Sequence, residues 1–251
     1  MSGHSHWATI RRKKGAADAK KGQIFTRLAR EIVIAAREGS GDPESNVSLQ
    51  LAIERARAQN MPKDNIERAI RRGTGDDKEG SALEEVHYEG YAPHGIAVMI
   101  ACVTDNRNRS VADIRHILNR FGGSLAEAGS VAWQFTRKAY FTFPSEGLDN
   151  DAIFELAVEA GADDVTFDND QIEIIGSVET FKAINDRLHA AKIQPDDAGI
   201  RLVPNNGIDL DVGDTLQVMK VIEALEELDD VQNVYSNMNI SDEALAQLEE
   251  A

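Results

Sequence analysis

Apolar residues at helical spacing predict three short amphipathic helices in the first third of the chain. The first apolar stripe begins after Gln23 and ends at Gly39. Asp42-Pro43 has the sequence of an N-cap followed by proline at the first helical position, and Pro62 is predicted to open the third helix. The stripes are Phe25, Leu28, Ile32 and Ala36, then Leu49, Ala52, Ile53 and Ala56, then Ile66, Ala69 and Ile70. Three such helices can bury one small shared core.

Farther along, the apolar pattern changes and predicts a mixed β and α segment over 83–136. We expect strands at 84–91 and 96–104, where β-branched and aromatic residues are frequent. A loop at 105–109 leads into a helix, and another strand is expected at 131–136. The order of elements in this segment is therefore β-β-α-β.

Residues 137–207 are predicted to fold as a unit of their own. A strand, a helix, two strands, a helix and a final strand follow one another, which is the ferredoxin-like order. The expected strands and helices lie at 139–143, 149–160, 163–168, 171–176, 178–191 and 198–204.

A last helix at 214–228 and a strand near 231–236 are too few elements to bury a core by themselves. Joined to the β-β-α-β segment, they would complete its sheet. We therefore predict a split α+β domain made of residues 83–136 with 208–241, into which the domain at 137–207 is inserted.

The predicted fold class is therefore α+β. Residues 1–78 are expected to form a basic arm and a three-helix nucleic-acid-binding domain, with a polar linker at 73–82. Two ferredoxin-like α/β domains follow, one inserted in the other.

Charge is distributed unevenly along this chain. The whole protein has a formal net charge of -16, yet residues 1–75 hold 15 Lys/Arg against 8 Asp/Glu, a net charge of +7. The remaining residues hold 12 basic and 35 acidic side chains, a net charge of −23. A basic module on an acidic body indicates that the N-terminal part binds phosphate and that the rest avoids it.

Composition excludes several classes of function. No apolar run is long enough to span a bilayer, no signal peptide precedes the basic segment, and Cys102 is the only cysteine, so we expect a cytoplasmic protein without disulfides or membrane contacts. The six histidines lack the spacing of a metal site, and nucleotide-binding and hydrolase motifs are absent. We expect no metal, no cofactor, no small-molecule substrate and no enzymatic activity.

The basic arm is the strongest functional signal. Eight basic residues lie within positions 1–30 against the single acid Asp18, and Trp7 offers a flat surface on which a base can stack. The residues predicted from charge and position to bind nucleic acid are Trp7, Arg11, Arg12, Lys13, Lys14, Lys20, Lys21, Arg27, Arg68, Arg71 and Arg72. The alternative is a solvated tail that only aids solubility.

A second candidate is an anion site at the start of the helix after residue 105. Arg107 and Arg109 enter its first turn, where backbone N–H groups are free, and Arg115 follows one to two turns later. The alternative is an arginine pair that bridges carboxylates of the acidic body.

Several short blocks resemble the YebC/PmpR family, and they occur in the family's order over nearly the whole chain. The blocks are Gly3–Trp7, Lys14–Gly22, Asn60–Ile66, Tyr88–Tyr91, Thr104–Arg109 and Gly129–Val131. The resemblance implies a helical N-terminal domain and two α/β domains, one inserted in the other. It also implies that His4 and His6, in the tip that ends at Trp7, belong to the nucleic-acid-binding surface.

The resemblance further implies a non-enzymatic regulator of gene expression that binds DNA. A related branch, which includes the mitochondrial translational activator of cytochrome c oxidase subunit I, implies an alternative. In that alternative the chain is a ribosome-associated translation factor whose arm contacts ribosomal RNA and relieves stalling at proline-rich stretches. A weaker alternative is a protein-interaction scaffold.

Two positions depart from the family's pattern. His6 stands where lysine is usual, so a fixed charge is replaced by a titratable one. The turn after Tyr91 is usually rich in glycine, but here it reads Ala92-Pro-His-Gly95. A positive φ at position 92 or 94 would strain this turn.

Overall fold

The computed structural model describes residues 18–76, 83–168 and 171–250. Its N-terminal part is helical. The helices are α1 (Asp18–Glu38), α2 (Val47–Ala58) and α3 (Lys63–Thr74). The predicted apolar stripes form their shared core, in which Ile32, Leu49 and Ala56 are fully buried.

The start of α2 differs from the prediction. Asp42-Pro43 lies in a turn, and the N-cap is Asn46, whose side-chain oxygen accepts a hydrogen bond from the backbone N–H of Leu49 at 3.0 Å. The amide nitrogen of Asn46 donates to the carbonyl oxygens of Ala35 at 2.8 Å and Ser40 at 2.7 Å. Asn46 thus caps one helix and satisfies carbonyls near the end of another, which a local N-cap pattern does not reveal.

The first sheet has four antiparallel strands in the order β3-β1-β2-β8. Its strands are β1 (Glu84–Tyr91), β2 (Ala97–Thr104), β3 (Ser124–Leu125) and β8 (Val231–Ser236). The helices of this part are α4 (Arg107–Arg120) and α7 (Val212–Glu226). Every residue of β2 is buried, since β2 lies at the centre of the sheet.

The second sheet is also antiparallel, in the order β5-β6-β4-β7. Its elements are β4 (Phe135–Pro144), α5 (Asn150–Glu159), β5 (Ala162–Asp168), β6 (Gln171–Gly176), α6 (Phe181–Ala190) and β7 (Asp197–Pro204). This is the ferredoxin-like succession of elements. The first sheet instead keeps the consecutive strands β1 and β2 as its central pair. A last helix, α8 (Asp242–Glu250), follows β8 along the chain.

One strand prediction is wrong. The segment 131–136 does not form a strand of the first sheet, because Ala132–Gln134 is a short 3-10 helix and β4 begins at Phe135. The two strands expected at 131–136 and 139–143 are thus replaced by one continuous strand of the second sheet. The third strand of the first sheet is the two-residue β3, too short to give an alternating pattern.

The α+β fold, with a helical N-terminal region followed by two antiparallel sheets, is confirmed. Contacts group the described residues into two compact units, one of 18–133 with 213–236 and one of 134–212 with 237–250. We call them the first unit and the second unit. The division of the sequence into three domains stays a prediction. No helix among the described residues is long and apolar enough to cross a membrane.

The turn between β1 and β2 does require a positive φ. His94 has a φ of 62°, and the following Gly95 has a φ of 74°. The imidazole of His94 lies 3.2 Å from the carboxylate of Asp214 and 2.7 Å from the side-chain oxygen of Gln217, both on α7. These two contacts offset the backbone strain that histidine suffers where glycine would be relaxed.

The contact between α1 and α3 depends on Gly73. A Cβ atom at this position would lie 2.6 Å from the carbonyl oxygen of Val33 and 2.7 Å from Cβ of Ala36. We expect Gly73→Ala to lower the free energy of unfolding by about 1–3 kcal/mol, because the two helices must separate. Urea denaturation followed by circular dichroism measures the change.

Gly22→Ala in α1 is the matched control, since a Cβ atom there meets nothing within 4 Å. It should leave stability unchanged or raise it by up to about 1 kcal/mol through helix propensity. Equal stability of the two variants would contradict the close packing described for Gly73.

Candidate nucleic-acid interface

Much of the predicted interface precedes α1. The residues that lie outside the described part of the chain are His4, His6, Trp7, Arg11, Arg12, Lys13 and Lys14. Lys20 and Lys21 lie in the first turn of α1, and their side chains also lie outside the described part. The assignment of these residues to nucleic-acid binding therefore stays a prediction.

Arg27 has a structural contact that its helical spacing did not reveal. Its guanidinium donates to the carbonyl oxygen of Glu226, the last residue of α7. One turn later, Arg30 donates to the carbonyl of Asp229 and lies 3.0 Å from the carboxylate of Asp230. The two arginines thus satisfy carbonyls at and after the negative end of α7. This contact occupies Arg27 within the protein.

The predicted arginines of α3 differ in exposure. Arg68 and Arg71 are exposed and stand three residues apart, so they lie on the same face of the helix. Arg72 is half-buried and has an interaction within the protein. Arg57 at the end of α2 is also exposed, and its position in a basic last turn could have identified it. Among the predicted residues that the structure describes, Arg68 and Arg71 are therefore the best placed to contact phosphate.

The predicted anion site at the start of α4 is occupied by the protein's own groups. The side-chain oxygen of Asn106 accepts from the N–H of Arg109 at 3.1 Å. The guanidinium of Arg107 donates two hydrogen bonds of 2.6 Å to Glu84, which lower the pKa of that carboxyl. Arg109 pairs with Asp105 at 2.9 Å. The structure thus favours the alternative in which these arginines bridge carboxylates, and Arg115 is exposed one to two turns away.

A buried carboxylate, Asp230, organises the region behind this helix. Its oxygens accept from the hydroxyls of Thr104 at 3.0 Å and Ser110 at 2.8 Å, and from the Nη2 of Arg109 at 2.8 Å. Burial acts to raise the pKa of Asp230, but the hydrogen bonds from Arg109, Ser110 and Thr104 and the charge of Arg30 outweigh it and lower the pKa. Asp230 therefore stays ionised.

A cavity of about 520 Å³ opens beside this carboxylate, within the first unit. Its charged lining is Arg30, Asp105, Arg109, Asp113, Glu227, Asp229 and Asp230. Carboxylates outnumber guanidinium groups there, and both arginines are already paired. The cavity is therefore unsuited to a phosphate.

A second buried carboxylate, Glu89 on β1, holds the loop before β4. Its oxygens accept from the backbone N–H groups of Gly129 at 2.6 Å, Val131 at 2.6 Å and Ala132 at 2.9 Å. Burial opposes ionisation of Glu89, but these backbone hydrogen bonds lower its pKa. Gly129 has a φ of 88°, a conformation suited to glycine.

These contacts explain three of the family-like blocks. Glu89 belongs to the block Tyr88–Tyr91, and its partners belong to or adjoin Gly129–Val131. The block Thr104–Arg109 supplies the cap of α4 and two partners of Asp230. Sequence reasoning missed Asp230 and Glu89, because in an acidic chain one carboxylate has no pattern that marks it as buried.

Comparison with known proteins agrees with this geometry. A family model described as the TACO1/YebC protein N-terminal domain matches residues 5–76, and one described as the TACO1/YebC second and third domain matches residues 83–238. The chain belongs to the TACO1/YebC family. The resemblance inferred from the short blocks is thereby confirmed. The first match covers the helical region, and the second covers the two sheets.

Several known proteins resemble this chain over all or nearly all of its length. A "probable transcriptional regulatory protein" of Chlorobaculum parvum is 49% identical over 251 residues, which is 100% of both chains. One of the same name from Syntrophus aciditrophicus is 48% identical over 248 residues, 99% of both chains. A crystal structure of a conserved hypothetical protein of Aquifex aeolicus superposes with a TM-score of 0.85 at 41% identity, covering 94% of this chain and 98% of that one.

Replacement of the Asp230 carboxylate tests its structural role. We expect Asp230→Asn to lower the free energy of unfolding by about 2–5 kcal/mol near neutral pH, because Arg30 and Arg109 lose a buried counter-charge. The folded pKa of Asp230 is lowered, so its stabilisation is present above the ordinary aspartate pKa and is lost as pH falls through the folded value. The stability difference from the natural protein should therefore shrink in acid.

Asp113→Asn provides the control, since Asp113 lines the same cavity but is exposed. We expect its effect to stay within about 0.5 kcal/mol. Urea denaturation of all three proteins between acidic and neutral pH compares them, and a loss in Asp230→Asn that does not vary with pH would contradict the assigned ionisation.

Proposed function

We propose that this protein is a non-enzymatic, nucleic-acid-binding regulator of gene expression. The observation that carries the proposal is the position of its positive charge. Residues 11–14 are four consecutive cations, and no Asp or Glu occurs before Asp18. With Asp18 as the only acid among the first 30 residues, such a segment carries an excess of positive charge and can release counterions from several phosphates.

The contacts of the described arginines support this assignment of roles. Arg27, Arg107 and Arg109 bond to carbonyl or carboxylate oxygens of the protein. The proposal therefore gives the main phosphate contacts to the arm and a supporting contact to Arg68 and Arg71, which are exposed on α3.

The names of the relatives favour a role in transcription. The proteins of Chlorobaculum parvum and Syntrophus aciditrophicus are each called a "probable transcriptional regulatory protein". We accordingly propose DNA as the ligand of the arm. The alternative, a ribosome-associated translation factor whose arm contacts ribosomal RNA, rests on the same cations. Crosslinking in cells followed by sequencing of the bound nucleic acid separates the two, because each ligand gives a different set of sequences.

Charge reversal in the arm tests the proposal directly. We expect the change of Arg11, Arg12, Lys13 and Lys14 to Glu to abolish binding to duplex DNA in gel-shift and anisotropy titrations. Four fewer cations should also lower the magnitude of the slope of log affinity against log salt concentration by about 3–4 in any binding that remains. Circular dichroism should show that the body stays folded.

A body variant with the same change in net charge is the control. Lys182, Arg187, Lys192 and Lys220 are exposed, and their change to Glu reverses four charges outside the arm. Because isolated surface ion pairs contribute little, this variant should fold normally and keep most of its affinity. Equal losses in both variants would indicate a general charge effect and overturn the role of the arm. Loss of ribosome binding by the arm variant with DNA binding unchanged would overturn the choice of ligand.

The two arginines of α3 have a separate expected effect. Arg68→Ala with Arg71→Ala should weaken binding to all DNA sequences alike and lower the salt slope by about 1 for each phosphate contact removed. A pair on α6, Lys182→Ala with Arg187→Ala, should leave the slope unchanged. A loss confined to particular sequences would show that Arg68 and Arg71 read bases, contrary to this prediction.

A further inference from the structure

One segment of the second unit combines strong negative charge with exposed apolar side chains. Residues 145–176 contain ten Asp and Glu and no Lys, Arg or His. Helix α5 lies in this segment, and Asp151, Glu155 and Glu159 are exposed on it. The cations described as pairing with the segment come from outside it: Lys138 lies 2.8 Å from Asp163, and Arg187 lies 3.4 Å from Glu159.

The same segment carries three of the six exposed large apolar side chains among the described residues. The six side chains are Trp133, Phe154, Val158, Phe167, Val178 and Ile208. Phe154 is 50% and Val158 is 53% exposed, although valine and phenylalanine are usually buried. They stand four residues apart on α5, so their side chains are neighbours on one face of the helix.

These side chains are not needed for the core of the second unit. The buried residues of α5 are Ile153 and Ala157, which form the stripe next to Phe154 and Val158, about 100° around the helix. Phe167 is on the edge strand β5, against which α5 packs. Val178 precedes Thr180, whose Cγ2 would lie 3.1 Å from a Cβ atom at Gly161, just beyond the end of α5.

We propose that Phe154 and Val158, together with the stripe of carboxylates beside them on α5, are a docking surface for a positively charged amphipathic helix of a protein partner. The apolar face of such a helix would cover Phe154 and Val158, as in helix-in-groove recognition. Its lysines or arginines would meet Asp151, Glu155 and Glu159. We call these five residues the α5 surface.

Charge selects this occupant over others. A nucleic acid would be repelled by the α5 surface, which has no cation of its own. A second copy of the chain meeting the α5 surface through the same face would bring like charges together. A basic amphipathic helix is attracted by the carboxylates and also buries the apolar side chains, so both features of the surface are used.

The test uses a defined probe, a synthetic amphipathic helix of about 18 leucine and lysine residues, long enough to be helical. The full-length protein should bind it, and the affinity should fall as salt concentration rises. Phe154→Ser with Val158→Ser should weaken binding at least about tenfold, because central apolar contacts dominate such interfaces. Glu155→Lys should weaken it through charge.

Two controls keep the experiment specific. Ile208→Ser removes an exposed apolar side chain elsewhere in the second unit, and Glu243→Lys reverses an exposed charge on α8. Both should leave affinity for the peptide unchanged. A scrambled peptide of the same composition, which has no apolar face, should bind at least about tenfold more weakly. Equal affinity for both peptides, or equal effects of surface and control variants, would overturn the proposal.

Two further outcomes would assign the α5 surface to another occupant and also overturn the proposal. Stronger peptide binding by the arm variant, with residues 11–14 changed to Glu, would show that the chain's own arm competes for the surface. A dimer in analytical ultracentrifugation that dissociates on Phe154→Ser with Val158→Ser would show that a second copy covers it. Nucleic-acid binding is measured separately, so the proposed function does not depend on these results.

Discussion

The first unit depends on a carboxylate that stays charged while buried. Asp230 precedes β8, and its partners come from elements far apart in the chain: Arg30 on α1, Thr104 on β2, and Arg109 on α4. Burial of a charge is costly unless hydrogen bonds and counter-charges compensate for it, and here they do so well enough to lower its pKa. The helical region and the first sheet are thus joined through one ionised group. The first turn of α4 supplies Arg109, one of the two arginines that pair with it.

Glu89 shows the same principle on a smaller scale, with backbone N–H groups in place of arginines. Together the two carboxylates give a structural reason for family-like blocks that could be mistaken for binding motifs. Thr104 and Arg109 hold Asp230, and Gly129 allows its loop to close on Glu89. A specific sequence block in this fold therefore indicates an internal contact as readily as a ligand.

Elements with a clear apolar period were predictable from the sequence, as α1, α3 and β1 show. The order of strands and helices around the second sheet was also predictable. The start of α2 was not, because Asn46 is chosen by carbonyls of another helix end rather than by its own neighbours. The start of β4 was not predictable either, because the sequence of a strand that follows a 3-10 turn does not show which sheet the strand joins. The exposure of an arginine also depends on partners that are distant in sequence. Helical spacing therefore predicted the same role in nucleic-acid binding for Arg27 and Arg68, although Arg27 bonds to the end of a helix and Arg68 is exposed.

The distribution of charge along the sequence makes the exposure of charged side chains partly predictable. Arg109 has Asp105 four residues before it and Lys182 has Asp186 four residues after it, and both pairs form. These two cations are therefore neutralised by acids close to them in sequence. Residues 11–14 are four cations with Asp18 as the only acid within four residues, and residues 145–176 contain no cation, so neither segment can satisfy its own charge. Pairing across a segment boundary, as with Lys138 and Asp163, removes only part of the excess. The unpaired remainder is what a partner of opposite charge can recognise, and the two segments differ in sign. A single phosphate ligand therefore cannot serve both.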